Sequence, residues 1–436
     1  MKRRLLPILM TLVLVCALPI WAAFVTSGDV TNPLVSTAGA TSPPDNAATR
    51  LKSAISNGGT VQLTEDIEIS ETLVVTRDVT LDLNGHVLKM TGDGSVLKVS
   101  DRATLTIQDS SAEGTGTITG GNAVDGGGVC VEAYATLEMT GGCITGCRAE
   151  DGGGVYIDNN ATLKMTGGCI TDCHASYGGG IYSYENLYMG GTAKIEKCTS
   201  NGGSDDAILN REGNIYADGG TVDGTVNNQG TITRSNGTNA NAATVFNKTV
   251  YMRGSKYTKR CIEAGTYNGT VENTGSIIGG TFYGTVRNQK NSMGLNITGS
   301  VTGGTFYGPI VNEVGPGQVT GGTFAVRFDT DGGSEIEPTM VEYDDLVPKP
   351  AAPTKSGYTF TGWEDADGAY DFNTPVIAPL TLTAKWEKVP SSSGYYYAPP
   401  TEQPIQAPKT ADPGVALYAA LSLLSLTGLT CTAKKR

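Results

Sequence analysis

The sequence predicts an all-β chain built mostly as a parallel β-helix, and three observations carry that prediction. The 436 residues include 59 Gly, with 39% hydrophobic, 7% aromatic and only 17% charged residues. Glycine at that level, with few Lys or Glu, excludes a helical bundle or coiled coil, and the lack of an every-third-residue period excludes collagen. A segment also repeats: GGGVCVEAYATLEMTGGCITGCRAED (126–151), GGGVYIDNNATLKMTGGCITDCHASY (152–177) and GGGIYSYENLYMGGTAKIEKCTSN (178–201). Within each copy, apolar residues alternate with polar ones over short runs. Ala161, Leu163 and Met165 share one face, and Thr162 and Lys164 the other. Period two is the pattern of a strand. Three short strands cannot close a core alone. Stacked coil on coil they bury a continuous column, each coil adding about 4.8 Å.

The column can be written out from the repeat. Leu105/Ile107, Leu137/Met139, Leu163/Met165 and Leu187/Met189 form one row, Ile118, Ile144, Ile170 and Ile195 a second, and Val129, Val155 and Ile181 a third. Weaker copies lie upstream at 78–85, 103–111 and 116–125. ATRLKSAISNGG (48–59) carries Leu51, Ala54 and Ile55 at helical spacing, stopped by Gly58 and Gly59. It reads as an N-terminal capping helix, needed because the first coil would otherwise expose an open edge. With TLDLNGH (80–86) and the GGG-hydrophobe-Tyr coils, residues 46–325 resemble the right-handed parallel β-helix proteins of the pectin-lyase-like superfamily. The regular coils run over 126–201. From 219 to 325 a GGTF-type motif replaces them, with Thr266, Thr281, Thr305 and Thr323 at its core. These coils are less apolar and are expected to be less stable. Residues 234–262 are polar and read as a loop or a projecting hairpin.

Residues 326–388 follow with FDTDGG, the P-x-x-P-x-K-x-GYTFTGW string, YDF and LTLTAKW. This segment resembles the internalin-type B repeat, also called the Listeria–Bacteroides repeat, which implies a small β-grasp-like spacer or weak binder. Phe328, Tyr358, Phe360, Trp363, Phe372 and Trp386 are the expected core anchors, since a chain this short needs large side chains to fill its interior. Trp363 is expected in the core rather than as a ligand platform.

Both ends read as processing segments. Residues 1–23 begin with Lys2, Arg3 and Arg4 before an apolar stretch, the pattern of a secretory signal; a retained membrane anchor is the alternative. Residues 24–45 form a linker and 389–408 a Pro/Ser/Tyr-rich stalk. Residues 409–436 hold a hydrophobic segment (415–433) and then Lys434, Lys435 and Arg436. That stretch can just span a bilayer as a C-terminal anchor helix. Pro408, Lys409, Thr410, Ala411 and Asp412 resemble a Gram-positive cell-wall sorting signal, although Ala407 replaces Leu and Ala411 replaces Gly. The resemblance implies a sortase cut after Thr410 and linkage to peptidoglycan; a plain membrane anchor is the alternative. Either way the chain is exported to the cell wall or the outer face of the membrane.

The net charge of −12 disfavours nucleic acid as a partner. Two His and no HExxH give metal or histidine catalysis little to build on, and no cofactor is expected. The superfamily resemblance brings polysaccharide lyases and hydrolases into view, which need clustered carboxylates. Asp125 and Asp151 share one coil position, but Tyr177 takes the third place, and Asp205–Asp206 lack a partner at their position. Calcium at Asp125/Asp151 is weighed against a polar turn, and the turn is favoured. Cys143 and Cys169 form one ladder and Cys147, Cys173 and Cys198 another. Buried thiols are favoured over a disulfide or a metal site. The sequence therefore predicts a non-catalytic surface protein presenting a solenoid to an unidentified extracellular glycan or protein. A lyase or hydrolase, and a spacer without a ligand, are the alternatives.

Overall fold

Equivalent residues of successive repeats lie side by side. In the computed structural model, which describes residues 46–201, 205–234, 244–246, 250–252, 261–289, 299–313 and 318–390, all three predicted rows are in register. Leu105, Leu137, Leu163 and Leu187 pair along one row, with Ile107, Met139, Met165 and Met189 beside them. Ile118, Ile144, Ile170 and Ile195 make the second row, and Val129, Val155 and Ile181 the third. All of these side chains are buried. Each contributes roughly 1.5–3 kcal/mol on leaving water, and each coil can do so only because its neighbours cover it.

One turn of the stack visits three faces. In the coil beginning at Val129 they are Val129–Val131, Thr136–Met139 and Cys143–Thr145. The face containing Val129–Val131 is an eleven-stranded sheet running from Leu73–Val75 to Ile310–Asn312. The other two bend into one another and merge in longer strands such as Leu187–Glu196 and Ser300–Phe306. A fourth, short sheet of Asn122–Asp125, Arg148–Asp151, His174–Tyr177 and Thr199–Ser200 fills one corner.

The first coil is closed by the helix Ala47–Asn57. The Asn46 side chain accepts from the Thr49 N–H at 2.8 Å, satisfying one of the helix's orphan donors. Leu51, Ala54 and Ile55 face the stack. The turns of the early coils are tied by carboxylates. Asp82 accepts from the N–H groups of Asn84 and Ser110, and Asp109 from those of Gly85, Ser111 and Gly116. Burial works to raise both carboxyls, but the accepted hydrogen bonds outweigh it and hold both below the ordinary value.

Later coils are shorter and solve the core differently. Equivalent residues lie 26 apart at Cys143 and Cys169 but only 15 apart at Asn273 and Asn288. Thr266, Thr281, Thr305 and Thr323 are in register. Next to them, Phe246, Tyr267, Phe282 and Phe306 stack inside with ring centroids 5.1, 4.8 and 4.7 Å apart, and Phe324 closes the column. Fewer apolar positions are filled here by larger side chains. Gly304 shows why the motif needs glycine before Thr. Its φ is +102°, and a Cβ there would come within 3.2 Å of the rings of Phe282 and Phe306.

A second internal column is polar. Asn210 donates to Asn228 at 2.6 Å, Asn273 to Asn288 at 2.9 Å, and Asn288 to Asn312 at 2.8 Å. Asn210, Asn228, Asn273 and Asn288 are fully buried. The amides donate along the column, which Met252 interrupts between Asn228 and Asn273, and the buried Asn210 carbonyl oxygen has no hydrogen-bond partner among the described residues.

Two expectations about the late segments are revised. Residues 234–262 do not form a projecting hairpin where they are described. Val245–Phe246, Val250–Met252 and Cys261–Ile262 pair parallel with the coils on either side, because each supplies the inward residue its row requires. The segment after the solenoid is continuous with it. Val319–Asp329 pairs parallel with Ser300–Phe306, antiparallel with Thr339–Glu342 and parallel with Leu380–Lys388. Leu380–Lys388 in turn pairs antiparallel with Tyr358–Asp365. Trp363 and Leu382 are buried, with Phe328 and Phe360 packed edge-to-face on Trp363. Trp386 donates its indole N–H to the Thr330 carbonyl at 3.0 Å. Tyr358 is the exception among the expected anchors. It is exposed, with the Lys355 ammonium 4.9 Å from its ring centre. The module's described residues contain no helix, so its core is sheet against loop.

The signal segment, linker and terminal anchor, with Pro408, Lys409, Thr410, Ala411 and Asp412, lie outside the described residues. No helix among the described residues is long and apolar enough to cross a membrane.

Candidate binding groove

The short corner sheet leads directly into the eleven-stranded face. Asp125 and Asp151 end adjacent strands of the short sheet, in register with each other and with Tyr177. The chain then turns through the GGG triplets into the large face. Gly152 has φ +68°, and a Cβ there would lie 2.3 Å from the Val155 carbonyl oxygen, so only glycine permits the turn. The alternation of the next strand puts Val129, Val131, Val155 and Ile157 inside and Cys130 and Tyr156 outside. In register along that outward row stand Lys98, Cys130, Tyr156 and Tyr182.

The row divides into a tyrosine cluster, with Tyr182 buried, and a separate cavity over its Lys98–Cys130 end. Tyr156 and Tyr182 stack at 5.6 Å, and Tyr184 meets both edge-on. The Tyr182 hydroxyl donates to that of Tyr184 and accepts from Arg211, each at 3.1 Å. Burial pushes both Tyr156 and Tyr182 up, so both stay neutral phenols. Lys98 pairs with Glu132 at 2.6 Å. At the open end, a cavity of about 720 Å³ lies over Lys98 and Cys130, walled by Thr72, Asp93, Asn122 and Asp125. Burial, reinforced by Asp158 and Glu150, raises the Asp125 carboxyl, and burial with Asp125 and Glu150 raises Asp151. Burial also pushes the Cys130 thiol up to about 12, which leaves it protonated and a poor nucleophile.

The other candidates have structural places. Asp206 is buried and accepts from the Asn227 amide at 3.3 Å, and its N–H donates to Ser200. Asp205 accepts from the Ser200 N–H; the pair ties a turn. Cys147, Cys173 and Cys198 are buried free thiols whose Sγ atoms donate to carbonyls within their own and neighbouring turns. For the other ladder the expectation is corrected: Cys143 and Cys169 are disulfide-bonded. They flank the inward Ile144 and Ile170 and so face out. Their Cα atoms, 4.6 Å apart, lie within the usual disulfide range of about 4.4–6.8 Å. Among the described residues, no three His, Cys, Asp or Glu are grouped to hold a metal. The tyrosine cluster was missed from sequence, although part of its signal was present as the Tyr that follows the hydrophobe in the second and third GGG runs, Tyr156 and Tyr182.

Comparisons with known proteins identify the C-terminal part of this unit. Residues 324–385 match the Listeria–Bacteroides repeat domain family; the chain carries that domain at the end of its solenoid. A Gly-rich membrane protein of Evansella cellulosilytica is 37% identical over 68 residues, 15% of this chain and 8% of the relative. Internalin H of Listeria monocytogenes is 40% identical over 76 residues, 16% of this chain and 14% of the relative. The chain thus spans less than a sixth of the length of these relatives. No solved structure matches it significantly.

Proposed function

We propose that this is an exported, non-catalytic surface protein of a Gram-positive envelope whose β-solenoid presents a binding face to an extracellular glycan or protein. The observation that carries the reading is the order of parts: a capped parallel stack closed by a Listeria–Bacteroides repeat domain, with an internalin among the similar proteins. Stacked coils make long regular faces suited to extended partners. The parallel stack also supports the pectin-lyase-like resemblance, which speaks for fold and not for activity. The basic-apolar start and the apolar-basic end support export and anchoring.

Anchoring is read through Pro408, Lys409, Thr410, Ala411 and Asp412: a sortase cuts after Thr410 and joins the chain to peptidoglycan, while Lys434, Lys435 and Arg436 resist translocation. The test is fractionation of a Gram-positive host expressing the full chain. Protease added to intact cells should remove it, and muramidase should release it. Thr410→Ala should move it from the wall to the membrane fraction with secretion intact. Protection from external protease refutes surface display. Wild-type chain confined to the membrane fraction refutes the sortase step in favour of a membrane anchor.

A further inference from the structure

We propose that Cys147, Cys173 and Cys198 are an oxidation site, which closes one of two mutually exclusive disulfides and always through Cys173. The site lies inside the stack and is independent of any partner on its faces.

The three sulfurs occupy one place in three successive coils. The His174 N–H donates to the Cys147 carbonyl at 3.0 Å and the Thr199 N–H to the Cys173 carbonyl at 3.1 Å, so the cysteines sit directly over one another. Each lies beside the third glycine of its GGG triplet. A Cβ on Gly128 would lie 3.6 Å from the Cys147 sulfur, one on Gly154 3.5 Å from that of Cys173, and one on Gly180 3.2 Å from that of Cys198. The Cys173 and Cys198 sulfurs both reach back to the preceding coil, to the carbonyls of Ile144 at 3.8 Å and Ile170 at 3.6 Å. The side chains therefore lean along the stack, and Cys173 is hydrogen-bonded to the sulfurs on either side. All three are buried free thiols.

The coil spacing decides which pairs can close. On the same two coils as Cys147 and Cys173, the Cα atoms of Cys143 and Cys169 are 4.6 Å apart and those residues are bridged. A disulfide needs Cα atoms within about 4.4–6.8 Å. Neighbouring members of the column meet that condition at one coil of about 4.8 Å, while Cys147 and Cys198, two coils apart at about 9.6 Å, do not. The outward ladder ends at its bridged pair because Lys194 stands opposite Cys169 on the next coil. The inward ladder has a third member, so one thiol is always left over. The bond with Cys173 holds Cys147 and Cys198 below the ordinary thiol value and Cys173 above it. An end cysteine is thus the thiolate that an oxidant meets first.

The oxidant is hydrogen peroxide, which reaches the column through local opening of the turns. The thiolate of an end cysteine attacks one peroxide oxygen, the O–O bond breaks, and a sulfenic acid and hydroxide form; the hydroxide takes up the proton that the thiol released. The Cys173 sulfur then attacks the sulfenic sulfur, the S–O bond breaks, and the Cys173 proton leaves with the hydroxyl as water. In sum, two thiols and one peroxide give one disulfide and two waters.

The experiment is disulfide mapping of the purified full chain. The native protein is treated with hydrogen peroxide, then denatured and alkylated, and its peptides are read by mass spectrometry. Links of Cys147 to Cys173 and of Cys173 to Cys198 should appear, never both in one chain, with the remaining thiol alkylated. When peroxide is added in denaturant instead, a Cys147–Cys198 link should appear beside them. Cys173→Ser should lower the yield of links within the column at least tenfold, whereas Cys147→Ser should keep the Cys173–Cys198 link and Cys198→Ser the Cys147–Cys173 link. The wild-type map decides the matter even where a variant fails to fold. The proposal is overturned if native treatment leaves all three thiols free, or carries them to sulfinic acids without a link. It is equally overturned if native Cys147–Cys198 links match those through Cys173, or if a folded Cys173→Ser chain links as well as wild type.

Discussion

Replacing Phe282 by Ala should open the solenoid locally rather than everywhere. The ring is fully buried and lies 4.8 Å from Tyr267 and 4.7 Å from Phe306, nearly parallel to both. Truncation of a buried Phe costs about 3–5 kcal/mol, and each lost ring pair accounts for roughly 0.5–1.5 kcal/mol beyond area. Collapse cannot close the hole, because parallel pairing on both sides fixes the coil spacing. The loss should therefore sit near the top of the range, about 4–5 kcal/mol. Stability in a stacked repeat is carried by nearest neighbours. Hydrogen exchange should then show faster exchange for amides between residues 262 and 312, with those of 97–165 still protected. Phe282→Ala combined with Phe306→Ala should fall short of additivity by roughly 0.5–1.5 kcal/mol, their mutual stack. Equal loss of protection in both regions would refute the nearest-neighbour account. A cost below about 1 kcal/mol would refute the aromatic column itself.

Ile170→Asp places a carboxylate in the row of Ile144 and Ile195 and should cost about 3 kcal/mol or more; an unchanged melting temperature would break the register. Native protein should resist alkylation at Cys147, Cys173 and Cys198 until denatured, and Cys143 and Cys169 should react only after reduction; rapid native labelling of all three would turn that strand outward. Asp82 and Asp109 are held below the ordinary carboxyl value of 3.8, so their contribution is present above that value and lost as pH falls through their lower folded values. Asp82→Asn should accordingly lower the melting temperature at pH 7 and matter less near pH 2. Asp125 and Asp151 are raised, so their sign is opposite: what they contribute is present below 3.8 and lost as pH rises through their folded values. Asp125→Asn should raise the melting temperature at pH 7, an advantage that disappears in acid. A drop instead would mean that the carboxylate supports the fold rather than the groove.

The regular coils are legible in the sequence because their apolar rows repeat at fixed spacing, and Leu163, Met165 and Ile170 take their places from the repeat alone. The capping helix is legible for the same reason, from Leu51, Ala54 and Ile55. The short coils are harder. Their spacing varies, so Phe246, Val250 and Ile262 look like stray apolar residues in a polar stretch. The amides of Asn210, Asn228, Asn273 and Asn288 read as loop polarity, yet they are buried, because the hydrogen bonds between successive coils arise only once the coils are stacked. The groove is half visible. Asp125 and Asp151 stand out, but Tyr156 and Tyr182 gain meaning only once the register of successive coils stacks their rings. Tyr358 is misplaced by sequence because its neighbours Phe360 and Trp363 do enter the core, and the strand's alternation near Gly362 is broken by a register shift.

The strand Val319–Asp329 belongs at once to the last coil and to the repeat domain, and that shared strand bears on how the molecule carries load. A pull applied at Lys388 enters through Leu380–Lys388, whose Thr383–Lys388 half is bonded to Tyr358–Asp365 and whose Leu380–Thr383 half is bonded to Val326–Asp329. Force along that strand loads the bonds of Tyr358–Glu364 first and those of Val326–Asp329 next, each set in shear. It then passes directly into the stack through Val319–Asp329, with no flexible joint between. A stack pulled through Lys388 would thus carry tension as one continuous ribbon, with the repeat domain as its clamp.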